Sequence, residues 1–206
     1  MAGVVLKMFN LVKEFLEAVI VALVVFFIMD ASVQNFKIEG SSMFPTFQPG
    51  EYVVVNKLAY FDLDTYKLST LIPFWGLAPK KNRSRFPEKE GPMVGDIVVF
   101  TKESDLSGKS FVKRIIGVPG DQISIIDGIT YLNGDVLRES YLVSVNAYQN
   151  QEYNPLNSEE FFVMGDNRIA SSDSRHWGPI GIDSVIGKVF ADYALPFKIG
   201  FLEETE

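Results

Sequence analysis

Two short segments carry residue types that could do covalent chemistry together. Gly40-Ser41-Ser42-Met43-Phe44-Pro45-Thr46 offers serines in a proline-containing turn, and Ser110-Phe111-Val112-Lys113-Arg114-Ile115-Ile116-Gly117-Val118-Pro119-Gly120-Asp121 sets a lysine in an apolar run. A serine hydroxyl is a poor nucleophile until a nearby base takes its proton, and a lysine is such a base only where burial keeps it neutral. Read as an extended strand, the second segment puts Phe111 and Ile115 on the face of Lys113 and Val112, Arg114 and Ile116 on the other. Two large apolar neighbours would desolvate the amine. Lowering its pKa from ~10.4 to a working value near ~8 takes roughly 3 kcal/mol at ~1.4 per unit, which the fold must provide. Each residue also has an ordinary reading. A serine in a turn usually serves the turn, and a strand lysine usually covers apolar surface with its stem while its ammonium stays in water.

A third segment, Gly165-Asp166-Asn167-Arg168-Ile169-Ala170-Ser171-Ser172-Asp173-Ser174-Arg175, is dense in hydroxyls and paired charges. Asp173 and Arg175 could pair and hold the loop, and a serine hydroxyl could accept a hydrogen bond from the lysine amine and aim it. Alone, the segment also reads as a plain polar loop.

Composition closes the rival schemes. With no cysteine there is no thiol nucleophile, thiolate zinc site or disulfide. His176 is the only histidine, so a Ser-His-Asp scheme must pass through it and multi-histidine metal sites are excluded. No Asp-Thr-Gly pattern occurs. A net charge of -7 would repel a phosphate backbone, which sets nucleic acid aside as a partner. Neither metal nor cofactor is expected.

The elements that must position these groups are mostly strands. Tyr52–Val55, Asp96–Phe100 and Ser110–Ile116 are β-branched or aromatic runs bounded by Gly, Pro or polar residues, and Phe36 and Ile38 open another. Gln122–Ile126, Ile129–Leu132 and Asp135–Leu137 are joined by Asp127-Gly128 and Asn133-Gly134, dipeptides suited to type I′ hairpin turns. Glu160–Met164 and Val185–Leu195 add two more, and no long helical period follows Asp30. At 206 residues and 47% hydrophobic content, the chain has room for an anchor and one globular unit.

The anchor lies at the N-terminus. Ala18–Met29 is uncharged but covers only ~18 Å of helix, against a hydrocarbon core of ~30 Å. Adding Phe15, Leu16 and Ala31–Val33 brings the stretch near ~20 residues, with Glu17 and Asp30 in reach of headgroups, and a single spanning helix is expected. Lys7 and Lys13 precede it and no Lys or Arg follows until Lys37, which favours a cytoplasmic N-terminus and an exported body. A cleaved signal peptide and a buried core helix are the alternatives. Leu71–Leu77, apolar without alternation and followed by Lys80, Lys81, Arg83 and Arg85, suits either a bilayer surface or a loop packed on its own domain.

Together the segments resemble the type I signal peptidases, membrane-bound serine-lysine peptidases that remove signal peptides. The resemblance rests on Ser42-Met43-x-Pro45-Thr46, Gly95-Asp96-Ile97-Val98-Val99-Phe100, Lys113-Arg114-x-x-Gly117-x-Pro119-Gly120-Asp121, and Gly165-Asp166-Asn167-Arg168 followed by Ser171-x-Asp173-Ser174-Arg175. It implies a mainly antiparallel β catalytic core with a small β cap at about 122–159, an anchor at 1–34 and a peptidase domain at 35–206 on the extracytoplasmic side of the cell membrane. It implies cleavage of preproteins after Ala-x-Ala, with Ser42 as nucleophile, Lys113 as base, Ser171 orienting the lysine, Asp173 and Arg175 bracing the loop, and Phe36, Ile38 and Val112 lining shallow pockets. His176 stands where the family commonly has an aromatic, and a packing or hydrogen-bonding role is expected of it.

Two positions depart from that pattern. Gly40 stands where many members carry a hydroxyl oxyanion donor, and Ile169 where aspartate is usual. Ile169 and the apolar Ala170 after it keep open a membrane-anchored module that binds signal peptides without cutting them. A serine-lysine maturase of narrow range, with the same dyad and another substrate, is a further alternative.

Overall fold

The computed structural model describes residues 2–60, 91–102, 108–142, 150–194 and 198–202. The Leu71–Leu77 stretch and the cations after it lie outside the described residues.

Helix α1 (Ala2–Ser32) runs straight into strand β1 (Val33–Lys37). The large apolar side chains from Met8 to Met29 are exposed on every side of it, so the helix buries none of them in a protein core. Its uncharged run, Ala18–Met29, covers about 18 Å of rise, and among the described residues no helix is long and apolar enough to cross a membrane. The expected spanning segment is corrected to that extent: the helix is present, but Glu17 and Asp30 cut its uncharged length short of a ~30 Å core.

The rest of the described chain is mainly β. Strands β2 (Tyr52–Asn56), β3 (Ile97–Thr101), β4 (Ser110–Gly117), β9 (Glu160–Met164), β10 (Ile180–Gly181) and β11 (Val185–Ala194) join β1 in one sheet of order β1-β2-β11-β3-β4-β9-β10, with β12 (Lys198–Phe201) also paired to β11. Every pairing is antiparallel. A second, four-stranded sheet has the order β7-β6-β5-β8, from β5 (Ile123–Ile126), β6 (Ile129–Leu132), β7 (Asp135–Val136) and β8 (Gln151–Glu152). Its two tight turns hold Asp127, Gly128, Asn133 and Gly134 at φ of 51°, 81°, 54° and 90°, the doubly positive geometry that Asp-Gly and Asn-Gly favour.

Three apolar clusters fill the body. The first gathers Ile38, Met43, Phe47, Val53, Val55, Ile97, Val99 and Val189 around the β1–β2 connection. The second lies under β3, β4 and β9, and the third joins Ile116, Phe162 and Met164 of the large sheet to Ile123 and Ile125 of the small one.

Most expected strands form within a residue or two of their expected bounds. No local pattern marks β8, β10 and β12, which are short and take their pairing from neighbours, or the one-turn helix α2 (Ser174–Trp177). Ile38 lies just past the end of β1, although its N–H still donates to Glu51 O at 2.8 Å.

Candidate active site

The turn after β1 is held by its apolar residues. Met43 and Phe47, both under 2% exposed, plug into the first cluster on either side of Phe44 and leave Ser42 half-buried at the turn's outer edge. Thr46 Oγ1 donates to Asp166, tying the far side of the turn to the loop that follows β9.

Lys113 comes from the middle of β4, directly across from Val98 of β3, and by strand parity shares its face with Phe111 and Ile115. It is 3% exposed. Its Nζ lies 2.7 Å from Ser42 Oγ and 3.0 Å from Val112 O. The pKa of the amine is lowered from 10.5 to about 8, mainly by burial, with the carboxylates of Asp173 and Asp166 opposing the shift and the Arg175 guanidinium adding to it. Near neutrality the amine therefore has an accessible neutral form, whose lone pair can accept the Ser42 proton.

The loop after β9 surrounds this pair. Asp173, fully buried, accepts from Arg175 Nε at 2.7 Å, Arg175 Nη2 at 2.8 Å and Gly165 N at 3.0 Å, and it caps α2. Burial pushes its carboxyl up, but the Arg175 guanidinium and the Gly165 N–H outweigh that and hold it below the usual carboxylate range. Arg175 Nη2 also donates to Arg168 O at 2.8 Å and Ser171 O at 3.3 Å, so one ion pair fastens both arms of the loop.

Ser171 is buried beside Gly165; its Oγ has no partner at full hydrogen-bond geometry, although its hydroxyl helps hold the Asp173 carboxyl low, and the expected bond to Lys113 is absent. The partners of the amine are Ser42 and Val112 instead. Phe36 and Val112 are half-buried at the margin of the first cluster, while Ile38, at 5% exposure, belongs to the cluster itself and presents little surface. Ile169 and Ala170 are exposed at the loop's tip, where Ala170 N donates to Asn167 O at 3.1 Å and to Asn167 Oδ1 at 3.3 Å, and His176 is exposed on α2. Among the described residues no group of three or more His, Asp or Glu could hold a metal ion.

A buried amine of lowered pKa in hydrogen-bond contact with a hydroxyl has the geometry to act on it as a base. A family model described as signal peptidase, peptidase S26, matches residues 10–194 of the chain. The chain belongs to the signal peptidase family, peptidase S26. It is similar to the probable signal peptidase I-2 of Synechocystis sp., 32% identical over 173 residues that make up 81% of this chain and 66% of that protein. Signal peptidase I of Bacillus caldolyticus is 33% identical over 182 residues, 80% of each chain. Signal peptidase I V of Bacillus subtilis is 29% identical over 188 residues, 85% of this chain and 94% of its own.

In this S26 serine peptidase several residues around the pair had been assigned no individual role from sequence. Arg114, next to the lysine, makes a two-point contact with Asp166 at 2.9 and 2.7 Å and donates to Gly95 O at 2.9 Å, with its guanidinium 3.9 Å from the Tyr141 ring centroid. Arg168 reaches to Thr130 of the small sheet at 3.0 Å and pairs with Glu139, which also accepts from Tyr141 Oη at 2.7 Å. Asn167 N donates to Ser42 O at 2.9 Å, and its Nδ2 to Ser41 O at 3.1 Å. Gly165 has no room for a side chain: a Cβ there would stand 2.5 Å from Ser42 O. The sequence signals for these were the unbroken Gly165-Asp166-Asn167-Arg168 string and Arg114 beside Lys113.

Proposed function

We propose that this S26 peptidase removes N-terminal signal peptides from exported preproteins after small residues of the Ala-x-Ala type, with Ser42 as nucleophile and Lys113 as general base. The observation that carries this is the 2.7 Å contact between Ser42 Oγ and an amine that burial brings down to about 8. Neutral Lys113 takes the Ser42 proton as Oγ attacks the scissile carbonyl. The resulting ammonium then protonates the departing amine, leaving an acyl-enzyme on Ser42. The same amine, neutral again, activates the water that releases the signal peptide. The Ser42 N–H, which donates to none of the described residues, faces the developing oxyanion.

Asp173 and Arg175 brace the loop, and Ser171 shapes the wall beside the dyad. Phe36, Ile38 and Val112 leave shallow apolar hollows that admit small side chains and reject large ones. Residues 35–206 act as the peptidase domain, in which the small sheet at about 122–159 is a cap, and 1–34 attach it to a lipid bilayer. The apolar surface of α1, with Glu17 and Asp30 drawn to the headgroups, supports that attachment, and Lys7 and Lys13 support a cytoplasmic N-terminus with the domain on the extracytoplasmic side.

Full-length chain in detergent should cut a preprotein once, after Ala-x-Ala, and Ser42→Ala and Lys113→Ala should each lower turnover by about 10³-fold or more. A wild type that holds the signal peptide without cutting it, or a Lys113→Ala variant that keeps most of the turnover, would overturn the assignment. Resistance of the membrane-bound chain to alkaline extraction tests the attachment by α1.

A further inference from the structure

We infer that Asn167 is a positioning residue for the oxyanion site, acting through the peptide unit that links Ser41 to Ser42. This inference rests on the proposed Ser42 chemistry and names a residue to which that chemistry gave no part. The carbonyl of Ser41 and the N–H of Ser42 are the two ends of one rigid, planar unit. Asn167 Nδ2 donates to Ser41 O at 3.1 Å, and Phe44 N donates to the same oxygen, also at 3.1 Å. One residue along, Asn167 N donates to Ser42 O at 2.9 Å. Asn167 thus grips two consecutive carbonyls, and with both held the Ser41–Ser42 plane cannot rotate.

The amide of Asn167 is itself oriented. Its Oδ1 accepts from Ala170 N at 3.3 Å, which leaves Nδ2 as the group turned toward Ser41. Gly165, with no Cβ, lets this loop approach Ser42 O closely enough for the backbone bond to form.

The grip matters because the opposite end of the plane is the Ser42 N–H, and Gly40 brings no second donor from the chain before it. An oxyanion site with one backbone donor depends on the aim of that donor. Removing a single donor from such a site typically costs about 10²–10³-fold in kcat, and misaiming one should cost a part of that. The amide of Asn167 also polarises the Ser41 carbonyl, which strengthens the N–H at the other end of the plane as a donor.

The test uses the full chain in detergent with a preprotein and, as a transition-state probe, a peptide aldehyde that forms a hemiacetal with Ser42. Asn167→Ala should lower kcat about 10- to 100-fold with KM little changed, and weaken the aldehyde by a similar factor, because both readouts need the oxyanion donor. The rising limb of the pH–rate profile, which reports Lys113, should stay where it is. Gly40→Ser should restore more activity to Asn167→Ala than it adds to wild type, since a hydroxyl donor there would relieve dependence on the misaimed N–H. Unchanged aldehyde affinity, a moved pH limb, or equal gains from Gly40→Ser in both backgrounds would each overturn the inference. Should Asn167→Ala fail to fold, Asn167→Asp keeps the bond to Ala170 N while losing the donor to Ser41, and aldehyde affinity reads the same loss. A wild type that takes the aldehyde on Ser42 but cuts no preprotein would defeat the signal-peptide reading alone, with the aldehyde comparison still deciding Asn167. No adduct on wild-type Ser42 would defeat both.

Discussion

Gly165 passes so close to the nucleophile turn that a Cβ on it would stand 2.5 Å from Ser42 O and 2.3 Å from Ser171 Oγ. Gly165→Ala must therefore push the Ser42 turn away from the loop after β9. Because a displacement near 1 Å at a reacting centre costs on the order of 10²-fold, kcat should fall by about that factor or more. Circular dichroism should still report a folded chain, since the third core cluster does not include this residue.

The rate should rise with pH as Lys113 deprotonates, with a half-maximum near its lowered pKa of about 8. A pH profile of kcat/KM checks this, and substitution of His176 should leave the limb in place. A limb that disappears with His176 and persists without Lys113 would contradict the assignment.

The same burial makes the base costly to the fold. The folded pKa of Lys113, about 8, lies below its ordinary 10.5, so the folded chain bears the full cost of a buried ammonium below pH ~8 and sheds it as pH climbs toward ~10.5. That net cost, with the attraction of Asp173 and Asp166 already included, is roughly 3 kcal/mol at ~1.4 per unit. Lys113→Met, inactive, should therefore be more stable than wild type by about 1–3 kcal/mol at pH 7. Denaturant melts should show the advantage shrinking across that alkaline window.

Arg114 and Asp166 form a pair whose side chains are 9% and 1% exposed. Arg114→Ala leaves the Asp166 carboxylate buried and unpaired, and should destabilise the chain by about 3–5 kcal/mol. Thr46 binds the same carboxylate, so the nucleophile turn should loosen too, and kcat should drop in whatever fraction remains folded. Urea melts and active-site titration separate the two effects.

Gly40 has open space around it: a Cβ there would meet nothing within 4 Å, and its backbone is not in the left-handed region. Gly40→Ser should fold without loss and add a hydroxyl donor ahead of Ser42. An increase in kcat of up to about 10-fold at unchanged KM is the expected result.

Ser42 and Lys113 stand out in the sequence through the resemblance of their motifs to the serine-lysine peptidases, since alone a turn serine and a strand lysine have ordinary readings, while the pairing of Asp173 with Arg175 is readable locally. An amine on an apolar strand is desolvated wherever that strand is buried, and an Asp two residues before an Arg can pair with it across one turn. The Asp-Gly and Asn-Gly hairpins were legible for a similar reason, since positive φ is a property of the residues themselves. Ser171 was different. A hydroxyl near a lysine in a loop can point several ways, and here Ser171 Oγ lies against Gly165 with no bond to the amine. The helix α1 was legible as a helix, but its charges at Glu17 and Asp30 make its relation to a bilayer a matter of surroundings rather than of sequence.

What the sequence determined by itself was the chemistry on offer: adjacent serines in a turn, a lysine on an apolar strand, no thiol, and a lone histidine far along the chain from both. What only the tertiary structure decided was the meeting of groups 71 residues apart, Ser42 and Lys113, and the clamp of Asn167 on Ser41 and Ser42 from 126 residues downstream. Local pattern sets conformation and burial through short-range sterics and hydrophobicity. Contacts between distant segments depend on how strands order themselves in a sheet, and that order follows from packing the whole core at once.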